Sequence, residues 1–317
     1  MERIDIIKEC ENASSIGIAG HIRPDGDAIG TTMALKLYLE NVFPDKEIKA
    51  YFETPPTIFS FIKEIDEVES NFPEHEPFDV FIAVDTVPER LSGAKKYFDN
   101  AKKTINIDHH MSNANGSGMV NYVEADASST AELAYILMDK KYVDRYIAEA
   151  VYTGMIHDTG VFRYSNTSPR THKVAAELIS YGIDFPTLID KTFYEKTFVQ
   201  NQLLGMALLK AQLYDDGRII ASYITKAELD EKGAFSKHLD GIVSQLRVTR
   251  GVEMSVFLYE LTEGHYKVSF RSGGGINVAA VAEGFGGGGH ERAAGCEIDG
   301  DYETAIEQIL QAVKTKS

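Results

Sequence analysis

Six side chains in this sequence are of the types that bind divalent cations: His21, Asp25, Asp27, Asp85, His109 and Asp158. Three of them crowd into "GHIRPDGDAIG" (20–30), where Pro24 and Gly26 shape a turn and two aspartates stand two residues apart. Like charges that close repel unless solvent or a cation sits between them. Hard carboxylates with a few imidazoles suit Mn²⁺ or Mg²⁺ rather than zinc, which favours thiolate and imidazole. The set is large enough for two ions, with one or two carboxylates bridging them. Each residue alone has an ordinary explanation. Asp27, before "AIGTTMALKL", reads as a helix N-cap, and His109 as a satisfied core histidine. Capping does not explain why acids close three successive predicted strands beside histidines.

Those strands are "SIGIAGH" (15–21), "DVFIAVDT" (79–86) and "TINIDHH" (104–110), each a short β-prone apolar run ending in Asp or His. Helix-like sequence separates them, and a further strand, "EIKAYFE" (47–53), follows the helix "DAIGTTMALKLYLENV". The alternation predicts an α/β domain over 1–190, with a mainly parallel sheet flanked by helices and its functional side chains at the strands' C-terminal ends. The sequence turns helical after "HDTGVFRYSNT" (157–167), and a helical connector is expected over 191–215. Strand-like stretches at 217–224, 251–260 and 266–272 predict a smaller α/β domain over 216–317.

Composition narrows the function. Of 317 residues 44% are hydrophobic, and 32 basic against 48 acidic residues leave a net charge of -16. That disfavours long nucleic acid, duplex above all, which calls for a basic surface. Short anionic substrates fit if metal ions neutralise the acidic site locally. No apolar run approaches a membrane span, and the N-terminus lacks a signal peptide's apolar centre. Cys10 and Cys296 form no CxxC pair, which suits a reducing cytoplasm. The sequons at Asn115 and Asn166 are read as incidental.

"GFGGGG" (284–289) matches a dinucleotide fingerprint in form, yet helix-like "NVAAVAE" precedes it where a strand is required. By composition it is a flexible loop. His290 and Arg292 follow at once, however, which places two side-chain donors beside exposed backbone N–H groups, a nest suited to phosphate. The separate "GGG" at 273–275 is read as a turn.

Taken together, "HIRPDGDAIG", "AVDT", "DHH" (108–110) and "GMIHDTGVFRYSNT" resemble, in order, the motifs of the DHH phosphoesterase superfamily. "SFRS" followed by "NVAAVAEGFGGGGHERAAG" is similar to the accessory DHHA1 domain. The two-domain form most resembles the nanoRNase/pAp-phosphatase branch. The resemblance implies two Mn²⁺ ions, with Mg²⁺ or Co²⁺ as substitutes. His21 and Asp25 would hold one, Asp27, His109 and Asp158 the other, and Asp85 would bridge both. His110 would face the substrate phosphate, with Asp108 supporting the site from behind. Arg271, Ser272, Gly287, Gly288, Gly289 and His290 would hold the non-scissile nucleotide. Thr31 replaces the family's usual Ser, and His157 stands where small or hydroxyl residues are common; packing is the expected role of His157.

The implied activity is hydrolysis of very short oligoribonucleotides (nanoRNA, pApA) to nucleoside 5′-monophosphates, and of 3′-phosphoadenosine 5′-phosphate (pAp) to AMP. The alternatives are a cyclic dinucleotide (c-di-AMP) phosphodiesterase and a non-catalytic nucleotide sensor, though none of the six ligands is eroded. The glycine segment argues against a family II pyrophosphatase, and length and acidity against a RecJ-type exonuclease. With metals on one domain and the nucleotide pocket on the other, a few nucleotides is the expected substrate length. A cytoplasmic protein is expected, free of membrane and compatible with a homodimer.

Overall fold

The structure, a computed structural model, describes residues 3–316. The chain divides into two compact units, one up to Glu195 and one from Lys196 onward.

The first unit is built on five parallel strands: β1 (Ser15–Ala19), β2 (Glu47–Tyr51), β3 (Val80–Val84), β4 (Lys103–Asp108) and β5 (Val120–Val123). The sheet order is β2-β1-β3-β4-β5. The chain runs outward from β1 to β2 and then returns to the other side of β1. The C-terminal ends of β1 and β3 therefore flank the point where strand order reverses, the usual crevice for ligands in open α/β sheets. β3 is buried along its whole length, as a central parallel strand should be.

The helices of this unit are α1 (Ile6–Cys10), α2 (Gly26–Val42), α3 (Lys95–Asn100), α4 (Thr130–Leu137), α5 (Arg145–Asp158), α6 (Pro169–Ser180) and α7 (Phe185–Ile189). α2 is buried nearly all round and crosses α5 closely. Gly30 and Gly154 make that crossing possible. A Cβ on Gly30 would sit 2.5 Å from the Ala150 carbonyl oxygen, and one on Gly154 only 2.9 Å from Asp27 Oδ1. Two expectations are corrected. Asp158 closes helix α5 rather than a strand, because "RYIAEAVYTGMIHD" carries buried residues at helical spacing. The path from β2 to β3 holds only 3₁₀ turns, at Thr57–Phe59 and Ile65–Glu67, in place of a helix.

The second unit is a six-stranded mixed sheet of order β10-β11-β9-β8-β7-β6. Its strands are β6 (Gln212–Tyr214), β7 (Ile219–Ile224), β8 (Met254–Thr262), β9 (His265–Ser272), β10 (Gly288–His290) and β11 (Ala293–Asp299). One face packs on α11 (Val278–Glu283) and α12 (Tyr302–Lys316); the other packs on α8 (Phe198–Lys210), α9 (Lys226–Glu231) and α10 (Ile242–Arg247). The helical connector expected over 191–215 does not stand apart. α8 buries Leu203 and Ala207 against Ile220, Ile224 and Phe257, so it belongs to this unit's core. Residues 190–194 form a π turn that continues α7.

Candidate functional site

Side chains from the ends of β1, β3 and β4 and from α2 and α5 converge at the strand-order reversal. The Asp25 carboxylate caps α2, accepting the backbone N–H groups of Asp27 and Ala28. Asp25 is thus the N-cap, and Asp27 is not. Asp27 lies in the first turn with its side chain 1% exposed. Its Oδ1 accepts from Ala131 N (2.9 Å) and the Thr31 hydroxyl (3.2 Å), and its Oδ2 accepts from Thr130 N (2.7 Å). The Thr at 31 therefore does the hydrogen bonding a Ser would do.

Asp85 follows β3 with φ +59° in the left-handed region, where a non-glycine residue costs of order 1 kcal/mol. Its side chain is 2% exposed and lies between two histidines. His21 Nε2 is 3.5 Å from Oδ2, and His109 Nε2 is 3.6 Å from Oδ1. His21 Nε2 also lies 3.6 Å from Asp25 Oδ2, while His109 Nε2 lies 3.4 Å from Asp158 Oδ2 and 3.9 Å from Asp27 Oδ2. Three overlapping groups result: His21, Asp25 and Asp85; Asp27, His109 and Asp158; Asp85, His109 and His110. Asp85 and His109 each belong to two of them. All six candidate ligands are thus brought together.

The electrostatics show strain that a cation would relieve. Burial, then Asp85, Asp158 and Asp25, push the Asp27 carboxyl well above its usual range. Asp158 is raised to about 6, burial and the acids Asp85 and Asp25 outweighing His109. Burial works against charge on His21, but Asp25 and Asp85 prevail and lift it to about 10. Asp25 falls to about 2, because His21 and two backbone N–H groups overcome its burial. Hard oxygens around two imidazoles, in this geometry, fit Mn²⁺ or Mg²⁺.

Asp108 closes β4, fully buried. Its Oδ1 accepts from the backbone N–H groups of His109 (2.8 Å) and His110 (3.1 Å) and lies 2.8 Å from His110 Nδ1; Oδ2 accepts from Asn113 Nδ2. Despite burial, the bonds from His110 and Asn113 keep Asp108 ionised, below its usual range. An ionised carboxylate only accepts, so His110 Nδ1 carries a proton. The Asp108 bond also raises the His110 pKa, and that side chain is 41% exposed.

His157 packs. Its ring lies 4.6 Å from Phe193 and 5.0 Å from Phe59, and a Cβ on Gly26 would collide with it. Burial lowers its pKa to about 4.

In the second unit, register sorts the candidate nucleotide-binding residues. Arg271 pairs with Ala293, which pairs with His290; Ser269 pairs with Gly295, which pairs with Gly288. Paired residues share a face, so Arg271, His290 and Gly288 fall together on one. Ser272 falls on the other, buried, its hydroxyl accepting from Gly274 N (3.0 Å) at the "GGG" turn. The glycine run is not wholly a loop, since Gly288–His290 form an exposed edge strand. Gly286, Gly287 and Gly288 line a concavity of about 510 Å³ with Lys267 and Phe285, whereas Gly289 lies within β10 at φ +149°.

Residue reading missed several residues that hold this site. Thr130 donates to Asp85 Oδ1 (2.9 Å). Asn166 Nδ2 ties the carbonyls of Ser128 and Asp158 (2.9 and 3.1 Å). Asn106 braces Ala83 and Thr86 from beneath and accepts from Asn113. The one available signal was "SST" before "AELAYIL", which marks a capped helix start.

The fold and this array of ligands define a phosphoesterase-type α/β domain joined to a second, mixed-sheet domain. Residues 15–155 match the DHH family, N-terminal domain, and residues 216–316 match the DHHA1 domain. The chain belongs to the DHH family. It is 34% identical over 316 residues to the bifunctional oligoribonuclease and PAP phosphatase NrnA of Thermus thermophilus, covering 98% of this chain and 92% of that one. Identity to the protein of the same name from Bacillus subtilis is 30% over 301 residues, 93% of each. Among solved structures, an exopolyphosphatase-related protein from Bacteroides fragilis superposes with a TM-score of 0.81 at 26% identity, covering 97% of this chain and 94% of that one.

Proposed function

We propose that this protein is a two-metal phosphoesterase that cleaves very short oligoribonucleotides to nucleoside 5′-monophosphates and removes the 3′-phosphate of pAp. The observation that carries the reading is Asp85, whose two oxygens face His21 on one side and His109 on the other. The full-length relatives named for oligoribonucleotides and PAP support it and leave the cyclic-dinucleotide alternative unfavoured.

His21, Asp25 and Asp85 would hold one Mn²⁺, and Asp27, His109, Asp158 and Asp85 the other. When bound, such a pair supplies Lewis acidity and a nucleophilic hydroxide near neutral pH. The chain's own contribution is placement. Asp27 is locked by three donors, and Asp25 is fixed by the turn it caps. His110 holds a proton at Nδ1 against Asp108, which aims its Nε2 outward. Protonated there, it donates a hydrogen bond to a phosphate oxygen and can pass a proton to the leaving oxygen. Arg271 and His290, on one face of the second sheet, are suited to bind the rest of the nucleotide. We assign catalysis to residues 1–190 and substrate binding to 216–317.

The test is a substrate panel with Mn²⁺: pApA, pAp, longer RNA, c-di-AMP and pyrophosphate. AMP release from pApA and pAp at rates well above the other three is expected. Cleavage confined to c-di-AMP or pyrophosphate overturns the reading. Binding of nucleotides without turnover would mark a sensor.

A further inference from the structure

We propose that Thr130 is a positioning residue that spans the two carboxylates facing His109 and so makes the two metal positions unequal. The inference rests on the two-metal reading above. Thr130 is fully buried at the first position of α4. Its backbone N–H donates to Asp27 Oδ2 (2.7 Å), and its hydroxyl donates to Asp85 Oδ1 (2.9 Å). Those are the same two oxygens that lie 3.9 and 3.6 Å from His109 Nε2. A hydroxyl has one proton to give, and here it is directed at Asp85 Oδ1. One residue thereby sets the spacing between two carboxylates that charge repulsion would otherwise drive apart.

At the other position Asp25 is held at Oδ1 by the two N–H groups it caps, and His21 Nδ1 lies 2.8 Å from the Ile22 carbonyl oxygen, but no described residue spans the two oxygens that face the His21 ring. Among the described residues, Asp85 Oδ2 meets only the 3.5 Å approach of His21, and Asp25 Oδ2 only the 3.6 Å approach of the same ring. The Asp25 side chain is 59% exposed. Thr130 itself is held firmly. Ser129 caps α4, and the fully buried Glu132 one turn on is gripped by Arg170, Ser128 and Thr171. β-Branching further limits the rotamers of Thr130. The position built on Asp27, His109 and Asp158 is therefore the more firmly braced at its ligating oxygens, and the one built on His21 and Asp25 keeps two oxygens that adjust to an ion. Oxygens held in place before binding lose less entropy when they bind. The more firmly braced position should be the tighter of the two.

Metal-freed protein titrated with MnCl₂, by calorimetry and by electron paramagnetic resonance of free Mn²⁺, tests this without any turnover. Wild type should show two events of unequal affinity. Thr130→Val keeps the backbone bond but removes the hydroxyl, and should weaken the tighter event at least tenfold while changing the weaker one less than threefold. Thr130→Ser should bind within threefold of wild type. Thr130→Ala serves in the same role if the valine variant unfolds. Equal weakening of both events, no weakening, or a serine variant that behaves like valine overturns the proposal. A wild-type protein that binds fewer than two ions overturns the two-metal reading instead, and the assignment of Thr130 with it.

Discussion

Asp85 sits at a backbone angle that few residues accept, and the choice of aspartate there is informative. Asn and Asp tolerate the left-handed region better than other side chains with a Cβ. Asp85→Asn should therefore keep the fold, with a melting temperature close to that of the metal-free wild type. Replacing a carboxylate oxygen between His21 and His109 should cut turnover at least a thousandfold and leave fewer than two Mn²⁺ binding events. Near-normal turnover in a folded Asp85→Asn variant would contradict the bridging role. The six candidate ligands were legible in the sequence because Asp and His at the ends of apolar runs have few other reasons to recur. Thr130, Asn106 and Asn166 were not. Their work depends on approaches such as Thr130 to Asp27, 103 residues apart, and a lone Thr or Asn in a chain reads as a cap or a loop. Val161 and Phe162, both at positive φ just after Asp158, were equally invisible, since propensity argues against a β-branched residue there.

Elements were legible where their pattern was long. β1, β3 and β4 announced themselves as apolar runs, and α2 as a helix opened by an aspartate, although the cap is Asp25 and not Asp27. Four strands went unread. β5, β6 and β10 are three or four residues long, too short for a period to show. The seven residues of β11, "AAGCEID", are mostly small or acidic where strand propensity favours branched and aromatic side chains. Asp158 was misplaced because the α5 sequence ends in the same acid-after-apolar signature as a strand. Helix contact makes a prediction that separates two glycines. Gly154→Ala drives a methyl to within 2.6 Å of Ala131 Cβ and 2.9 Å of Asp27 Oδ1. Overpacking of this kind costs about 1–3 kcal/mol, and here it also displaces Asp27, a candidate ligand. Urea unfolding should show that loss, and Mn²⁺ affinity should fall with it. Gly205, inside α8, has open space where its Cβ would lie. Gly205→Ala should stabilise by about 0.5–1 kcal/mol and leave metal binding alone. Equal effects of the two substitutions would remove the close crossing of α2 and α5 from the account.

At the scale of the whole molecule, charge is the governing quantity, first within the site and then over the surface. Without metal, Asp27 and Asp158 take up protons more readily in the folded chain than in the unfolded one, with Asp158 near 6. A carboxyl whose folded pKa is raised contributes stability below its unfolded value, near 4, and that stability is lost as pH rises through the folded value. His157, held near 4 by burial, works the other way over the same range. The expected signature is therefore a difference: from pH 5 to pH 7.5 chelated wild type should lose stability relative to chelated Asp158→Asn, and MnCl₂ should restore stability of the wild type at pH 7.5. Parallel stability–pH curves for chelated wild type and chelated Asp158→Asn would contradict this. Over the surface, the net charge of -16 is joined by ion pairing of several lysines of the first unit. Lys36, Lys49, Lys95, Lys96, Lys102 and Lys103 of the first unit all sit in ion pairs. A long polyanion gains affinity by neutralising many phosphates with cations, and a net charge of -16 opposes its approach. On the proposed reading, local binding must then supply nearly all the affinity, and added nucleotides contribute repulsion instead of contacts. kcat/KM should peak for RNA of about two to four residues, lengths well below an extended single-strand footprint of up to about 16 nucleotides. The measurement is a length series of end-labelled oligoribonucleotides under single-turnover conditions with Mn²⁺, repeated at two salt concentrations. Cleavage should slow beyond four residues, and for the longest chains added salt should narrow the gap by screening the repulsion. Equal or faster cleavage of RNA of about 20 residues, weakened by salt with the steep slope of a polyanion track, would refute the claim that this acidic surface restricts substrate length.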